Sequence, residues 1–245
     1  HEVTGTVRAE SAPATLDHLV VADAKTDFHS LVQGQDAVVH TAGVAHNPSR
    51  DPATLKELFE EGNRDWTRNI AAAVASSDAT TLIHISSIAA AGDITGRSDE
   101  GFREVDESEP ETDYGRSKRE AEPYVKELAE CGKLGVNLRP PLIYGQGTKG
   151  NWSKIVGLAK TPIPIPFASV KNQRSYLGID NLCDLIDSIL KKSGQSSLSG
   201  TYHVADRDVY SLAEVVEALR LGIGKKPGMI PFPVSVMRQF LETAG

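Results

Sequence analysis

The sequence predicts a doubly wound α/β fold, and three observations carry that prediction. Strand-type and helix-type segments alternate along the chain, several strand segments are rich in Val and Ile, and the texture changes after Gly145. Alternation is the pattern of a parallel sheet covered by helices. Runs of branched aliphatic residues suit strands buried on both faces.

The strands are expected at residues 3–7, 18–21, 37–40, 81–85, 135–138 and 202–204. Between them, residues 52–76 repeat Leu55, Leu58, Phe59 and Trp66 at helical spacing, and residues 114–129 form a second long helix. Residues 161–167 read Thr-Pro-Ile-Pro-Ile-Pro-Phe, and prolines at every second position exclude a helix there. A second lobe is therefore expected to start near this point. Asp180 is expected to cap a helix over 182–190 whose Leu182, Leu185, Ile186 and Ile189 share one face. The division that follows is a cofactor domain of residues 1–145 and 178–205, and a small substrate lobe of residues 146–177 and 206–245.

Composition narrows the function. A chain of 245 residues with net charge −7 and no basic block beyond pairs such as Lys191-Lys192 has no electrostatic footprint for nucleic acid or an anionic membrane. A small-molecule partner is expected. No apolar run reaches the roughly 18 residues of a membrane span. The two cysteines, Cys131 and Cys183, read as reduced thiols of a cytoplasmic protein. His18, His29, His40, His46, His84 and His203 show no ligand-type spacing, so no metal site is expected, and His40 and His84 read as strand-end residues.

The chemistry-bearing residues lie near the middle. Tyr114-Gly-Arg-Ser-Lys118 puts a phenol and an ammonium four residues apart, on one face of a helix. A cation beside a phenol lowers its pKa from about 10 toward neutrality and makes Tyr114 a usable general acid and base. Upstream, the strand 81–85 ends in Ser86-Ser87, at the carboxyl end of a sheet strand, where open α/β sheets bind ligands.

Five segments in order resemble the extended short-chain dehydrogenases, the NAD-dependent epimerase/dehydratase family. They are 39–43 (Val-His-Thr-Ala-Gly) with Asn63 after it, 85–92 (Ile-Ser-Ser-Ile-Ala-Ala-Ala-Gly), the Tyr114–Lys118 helix, 138–145 (Leu-Arg-Pro-Pro-Leu-Ile-Tyr-Gly) and 172–181 (Asn-Gln-Arg-Ser-Tyr-Leu-Gly-Ile-Asp-Asn). The resemblance implies a Rossmann-type sheet and a catalytic triad of Ser87, Tyr114 and Lys118. It implies that NAD or NADP would lie against Arg8, Asp23, Ala24, Thr41, Ala42, Gly43, Asn63, Ser86, Lys118, Pro140 and Ile143. Arg8 stands where an acidic residue would select NAD, which leans the choice toward NADP. A nucleotide-sugar substrate would meet Ser87, Tyr114, Asn151, Phe167 and Arg174, Arg174 by its fork of donors to phosphate.

The family's dehydratases carry Asp-Glu after the catalytic hydroxyl, whereas Ile88-Ala89 stands here. That leaves 4-epimerisation of a UDP-sugar as the leading expectation. Reduction of a 4-keto sugar or small carbonyl, and a non-catalytic cofactor sensor, are the alternatives. A homodimer pairing through 52–76 and 114–129 is expected by the same resemblance. The chain begins at His1, and 3–7 resembles the family's second strand. A first strand, glycine loop and helix of roughly 25 to 30 residues, most of a βαβ unit, are thus expected to be missing, with weak cofactor binding as the result. Residues 233–245 read as an amphipathic helix cut short.

Overall fold

The computed structural model describes residues 2–7, 18–22, 26–44, 51–92, 103–105, 109–148 and 150–233. Its centre is a four-stranded, all-parallel sheet of β3 (Ala37–His40), β4 (Thr81–Ile85), β5 (Leu134–Arg139) and β8 (Gly200–His203), in that spatial order. Strands β1 (Thr4–Val7) and β2 (His18–Val21) pair with each other in parallel as a separate ribbon. The parallel α/β architecture predicted from alternation is the one observed.

Each face of the four-stranded sheet is covered by helices. On one side lie α1 (Phe28–Val32), α3 (Trp66–Ala75) and α4 (Asp113–Lys126), with Val32, Ile70, Val74, Leu82, Val125 and Leu128 in one core cluster. On the other lies α6 (Ile179–Leu190), whose Leu182, Leu185, Ile186 and Ile189 pack on Ile83, Val136 and Leu138. Of these four α6 residues only Leu182 is buried and the other three are half-buried. Fully burying one such side chain contributes roughly 1.5–3 kcal/mol, so Leu182 is the main anchor of the stripe. Asp180 is not the cap of α6. Strand β7 (Gln173–Gly178) runs directly into the helix, Gly178 occupies the cap position, and Asp180 lies in the first turn. There its carboxylate faces the positive end of the helix dipole.

The long helical run predicted over 52–76 is interrupted. It consists of α2 (Pro52–Phe59), a π-helical segment Glu60–Asp65, and α3. Asp51 caps α2 by accepting from the Thr54 amide, with Pro52 in the first turn.

A smaller sheet joins β6 (Leu142–Tyr144) and β7 in parallel, and β7 and β9 (Val209–Ser211) antiparallel. Helices α5 (Asn151–Lys160) and α7 (Leu212–Gly222) pack together around Ala159, Ile165 and Val216, and α7 opens with a reciprocal Ser211–Glu214 capping box. The proline-rich stretch is non-helical, as expected. Buried Arg220 donates to the carbonyls of Thr161, Ile163 and Pro227, which the prolines leave without helical partners. Asp206 ties the small sheet to α6, accepting from Tyr144 Oη (2.8 Å), Gly178 N (3.1 Å) and Asn181 Nδ2 (2.7 Å). No described helix is long and apolar enough to cross a membrane.

Candidate active site

Helix α4 begins at Thr112, whose hydroxyl accepts from Gly115 N at 3.1 Å. Gly115 is required by close packing, because a Cβ there would lie 2.5 Å from the Ala89 carbonyl and 2.9 Å from Pro110 Cβ. Its neighbour Tyr114 is thereby held against the short turn Ile88–Ala90 that follows β4. Ser87 caps that turn, accepting from Ala89 N at 3.2 Å, and its hydroxyl lies near enough to the Tyr114 phenol to favour the ionised form. The ring of Phe59 meets Tyr114 edge to face at 5.7 Å between centroids.

One turn on, Lys118 is only 4% exposed and donates from Nζ to the Ile85 carbonyl at 3.0 Å. Ser87, Tyr114 and Lys118 thus meet at the carboxyl end of β4, as the sequence predicts. Their electrostatics differ from expectation in one respect. Burial raises the Tyr114 pKa, with Ser87 opposing, and Lys118 is not what governs the phenol. The ammonium is turned to the Ile85 carbonyl, and burial pushes its own pKa down to about 8, with Glu122 opposing.

The other predicted residues are placed as follows. Thr41, Ala42 and Gly43 form the loop after β3, with Thr41 and Gly43 exposed. Asn63, fully buried in the π segment, braces that loop: Oδ1 accepts from Val44 N (2.7 Å), and Nδ2 donates to Val44 O (3.2 Å) and Ser117 Oγ (2.9 Å). Its amide is committed to the protein, so its contribution is to the shape of the loop. Ser86 is likewise turned inward, donating to Glu122 Oε1 at 2.6 Å. Pro140 flanks the Ile88–Ala90 turn, its carbonyl accepting from Ile88 N at 3.0 Å, and Ile143 packs with the α6-side core.

Asn151 begins α5 and is exposed, Arg174 is exposed on β7, and Phe167 packs on the Ala159–Val216 cluster. Among the described residues no hydrogen bond or ring contact links these three to Ser87, Tyr114 or Lys118. Arg8, Asp23 and Ala24 lie outside the described residues.

Beneath the site lies a feature that sequence reading missed. The strand registers align His40, His84, Asn137 and Thr201 in one row across all four strands. His40 and His84 stack at 5.4 Å, His40 Nε2 meets Thr67 Oγ1 at 3.0 Å, and His84 Nδ1 meets Asn137 Oδ1 at 2.9 Å. Asn137 Nδ2 donates to Glu122 O and Thr201 Oγ1, so its oxygen faces His84 and Nδ1 carries the imidazole proton. Burial, then Lys118, then His40 hold the His84 pKa well below its usual value, and the ring is neutral. The next row contains Arg139, which grips Glu122 through Nε (2.8 Å) and Nη2 (2.6 Å). The period-two polar residues His84-x-Ser86 and Asn137-x-Arg139 were the available signal. No group of three or more His, Cys, Asp or Glu among the described residues could hold a metal ion.

A parallel sheet with a Ser-Tyr-Lys cluster at the carboxyl end of a central strand defines a class of nucleotide-dependent oxidoreductase folds. Residues 1–205 match the NAD dependent epimerase/dehydratase family, and the chain belongs to it. It is 33% identical over 227 residues to a UDP-glucose 4-epimerase of Vibrio cholerae, covering 91% of this chain and 68% of that protein. It is 26% identical over 196 residues to an N-acetyl-alpha-D-glucosaminyl-diphospho-ditrans,octacis-undecaprenol 4-epimerase of Escherichia coli O157:H7, covering 77% of this chain and 56% of that protein.

Solved structures share the fold. They include a UDP-N-acetylglucosamine 4-epimerase from Bacillus cereus (TM-score 0.72, 20% identity, 93% of this chain and 75% of that one). A UDP-glucuronic acid 4-epimerase from the same species in complex with NAD gives TM-score 0.68 at 19% identity, over 87% and 69%. A dTDP-4-dehydrorhamnose reductase from Bacillus anthracis in complex with NADP gives 0.69 at 24%, over 93% and 79%.

The residues present fit the ribose of a nicotinamide cofactor. A Cβ at Gly43 would lie 3.1 Å from Lys118 Nζ and 3.0 Å from Asn63 Oδ1, so the bare backbone beside the ammonium leaves room that a side chain would fill. An ammonium with one carbonyl acceptor among the described residues has donors to spare for a diol.

Proposed function

We propose that this chain acts on a nucleotide sugar with a nicotinamide cofactor, as a 4-epimerase of a UDP-sugar. The observation that carries the reading is the meeting of the Ser87 hydroxyl, the Tyr114 phenol and the buried Lys118 ammonium at the end of β4. A bound nicotinamide would supply the hydride acceptor and donor, the chemistry that no side chain provides. Lys118, with the loop 41–43, would hold its ribose.

The chain's own residues handle the proton. Ser87 orients the substrate oxygen and stabilises charge that develops on it. Tyr114, kept protonated by burial, donates to a sugar carbonyl and recovers the proton from the sugar hydroxyl in the opposite direction. Arg174 and Asn151 would meet the nucleotide diphosphate, and Phe167 would lie by the base, from the lobe formed by 146–177 and 206–245. The Vibrio relative at 33% identity supports UDP-glucose as the first substrate to test. The NAD and NADP complexes among the structural neighbours leave both cofactors in the assay.

A second reading, reduction of a 4-keto nucleotide sugar, is favoured by the protonated state of Tyr114, which suits donation to a carbonyl. One experiment separates the two. Incubation with UDP-glucose, UDP-N-acetylglucosamine or a 4-keto sugar nucleotide and either cofactor should interconvert sugars without net change in cofactor absorbance. Net oxidation of NADPH would instead select the reductase, and inertness toward every nucleotide sugar would reject both. Tyr114→Phe should lower kcat about 10²- to 10⁴-fold. Full turnover in that variant would remove the mechanism.

A further inference from the structure

Tyr114, Lys118 and Glu122 follow one another at four-residue intervals and share a face of α4. Glu122 is 4% exposed, and its carboxylate accepts three hydrogen bonds: Ser86 Oγ at 2.6 Å, Arg139 Nε at 2.8 Å and Arg139 Nη2 at 2.6 Å. Its main-chain carbonyl accepts a fourth, from Asn137 Nδ2 at 3.0 Å. These bonds join α4 to the two strand ends that frame the site. Ser86 precedes the catalytic Ser87, and Arg139 precedes Pro140, whose carbonyl holds the Ile88 amide.

We propose, resting on the reading above, that Glu122 is the positioning residue of this site. Its buried carboxylate fixes the rotation of α4 against the Ser86-Ser87 turn, and it is the one buried anion that favours the Lys118 ammonium among the described groups around it. Four buried bonds at one residue over-determine the helix orientation, so the phenol of Tyr114 meets the Ser87 hydroxyl without reorganisation. The groups around Lys118 leave the charge role to Glu122. On α4 these are Tyr114, a neutral phenol, and Glu122. On β4, His84 is a neutral imidazole, and His40 of β3 stacks behind it. On β5, Arg139 is a cation already engaged by Glu122, with His203 of β8 beyond it at 3.3 Å. Glu122 alone among them opposes the loss of the Lys118 proton.

The test compares Glu122→Gln and Ser86→Ala in the full chain. The Lys118 ammonium is followed through its 13Cε resonance against pH, alongside kcat and KM profiles. Glu122→Gln should release the Lys118 proton about one pH unit lower, as expected on removing a nearby opposite charge. It should also lower kcat on the order of a hundredfold, the cost of a small misplacement, with KM nearly unchanged. Ser86→Ala keeps the charge and loosens one bond, so kcat should fall by about tenfold while the Lys118 titration stays in place.

An unshifted Lys118 titration in Glu122→Gln overturns the charge role. An unchanged kcat in Ser86→Ala overturns the positioning role, and that variant serves even if Glu122→Gln does not fold. The resonance titration requires no turnover. A protein inert toward nucleotide sugars would therefore fail the functional reading and the positioning role that rests on it, while the charge role is still decided by the Lys118 titration.

Discussion

The two faces of β4 and β5 are built on opposite principles. Toward α6 they present Ile83, Val136 and Leu138, all buried and aliphatic, packed on Leu177 and Leu182. Toward α4, at the carboxyl end, the same strands present His84, Ser86, Asn137 and Arg139, equally buried and fully polar. Adjacent residues such as Leu138 and Arg139 therefore share a backbone and differ only in which way the pleat turns them. The aliphatic face provides stability through area removed from water. The polar face provides orientation, since each of its groups is costly unless its partner stays in place.

That difference is sharpest at Leu138 and Arg139. Arg139 and Glu122 are 6% and 5% exposed at the side chain, so Arg139→Met leaves a buried carboxylate without its cation and should cost about 3–5 kcal/mol. Adding Glu122→Leu should recover most of that loss, because an apolar pair of similar volume tolerates burial. Leu138→Ala should cost about 2–5 kcal/mol through a cavity, with no second substitution on the α4 face able to restore it. Denaturant unfolding of the single and double variants measures the coupling. Additivity of Arg139→Met with Glu122→Leu would show the polar face to be ordinary packing.

Lys118 carries the contrast into the residues proposed for catalysis. Its folded pKa of about 8 lies below the ordinary 10.5, so between those values the unfolded chain binds more protons than the folded one. Stability then rises with pH through that window, and the whole penalty is present below pH 8. Lys118→Met should accordingly raise stability at pH 7 by up to about 3 kcal/mol, the equivalent of the shift from 10.5 to about 8, while abolishing turnover. The gain should shrink above pH 8 and disappear beyond 10.5. Thermal unfolding of the two proteins across pH 7–11 measures it, and a variant less stable than the parent at pH 7 would contradict the burial argument.

These two faces were not equally legible in the sequence. The aliphatic face announces itself, because Ile83, Val136 and Leu138 lie in branched aliphatic strand runs and Leu182, Leu185, Ile186 and Ile189 recur at helical spacing. Tyr114, Lys118 and Ser87 were legible because their spacing is local to one helix and one strand end. The row of His40, His84, Asn137 and Thr201 was not, since its members are brought together only by strand register. Read singly, His40 and His84 were strand-end residues. Glu122 was within reach as the next step of the Tyr114–Lys118 spacing, but its partners Ser86 and Arg139 come from other strands. The π segment at Glu60–Asp65 also left no periodic trace, since its effect is to turn Asn63 inward toward Val44 and Ser117. The inverted influence on Tyr114 was invisible for a physical reason: spacing shows that a cation is near, but neither that it turns to the Ile85 carbonyl nor that burial of the phenol disfavours its ionised form.

The smallest effect at neutral pH belongs to His84, where the contrast shows only in acid. The ring is buried, neutral and held by Asn137, and its Nε2 has no hydrogen-bond partner among the described residues. With the folded pKa well below 6.5, the unfolded chain takes up a proton on acidification that the folded chain refuses. The unfolded state then binds more protons, so stability falls progressively as pH drops below 6.5 and is unaffected above it. His84→Gln keeps a donor for Asn137 and cannot titrate. At pH 7.5 it should change stability by about 1 kcal/mol or less, as a polar exchange that preserves one hydrogen bond. Between pH 6.5 and 4.5 its stability should decline less steeply than that of the parent, by denaturant unfolding at each pH. Parallel decline in the two proteins would place the acid sensitivity elsewhere and reduce the His40–His84 row to packing, the same kind of contact that fills the opposite face.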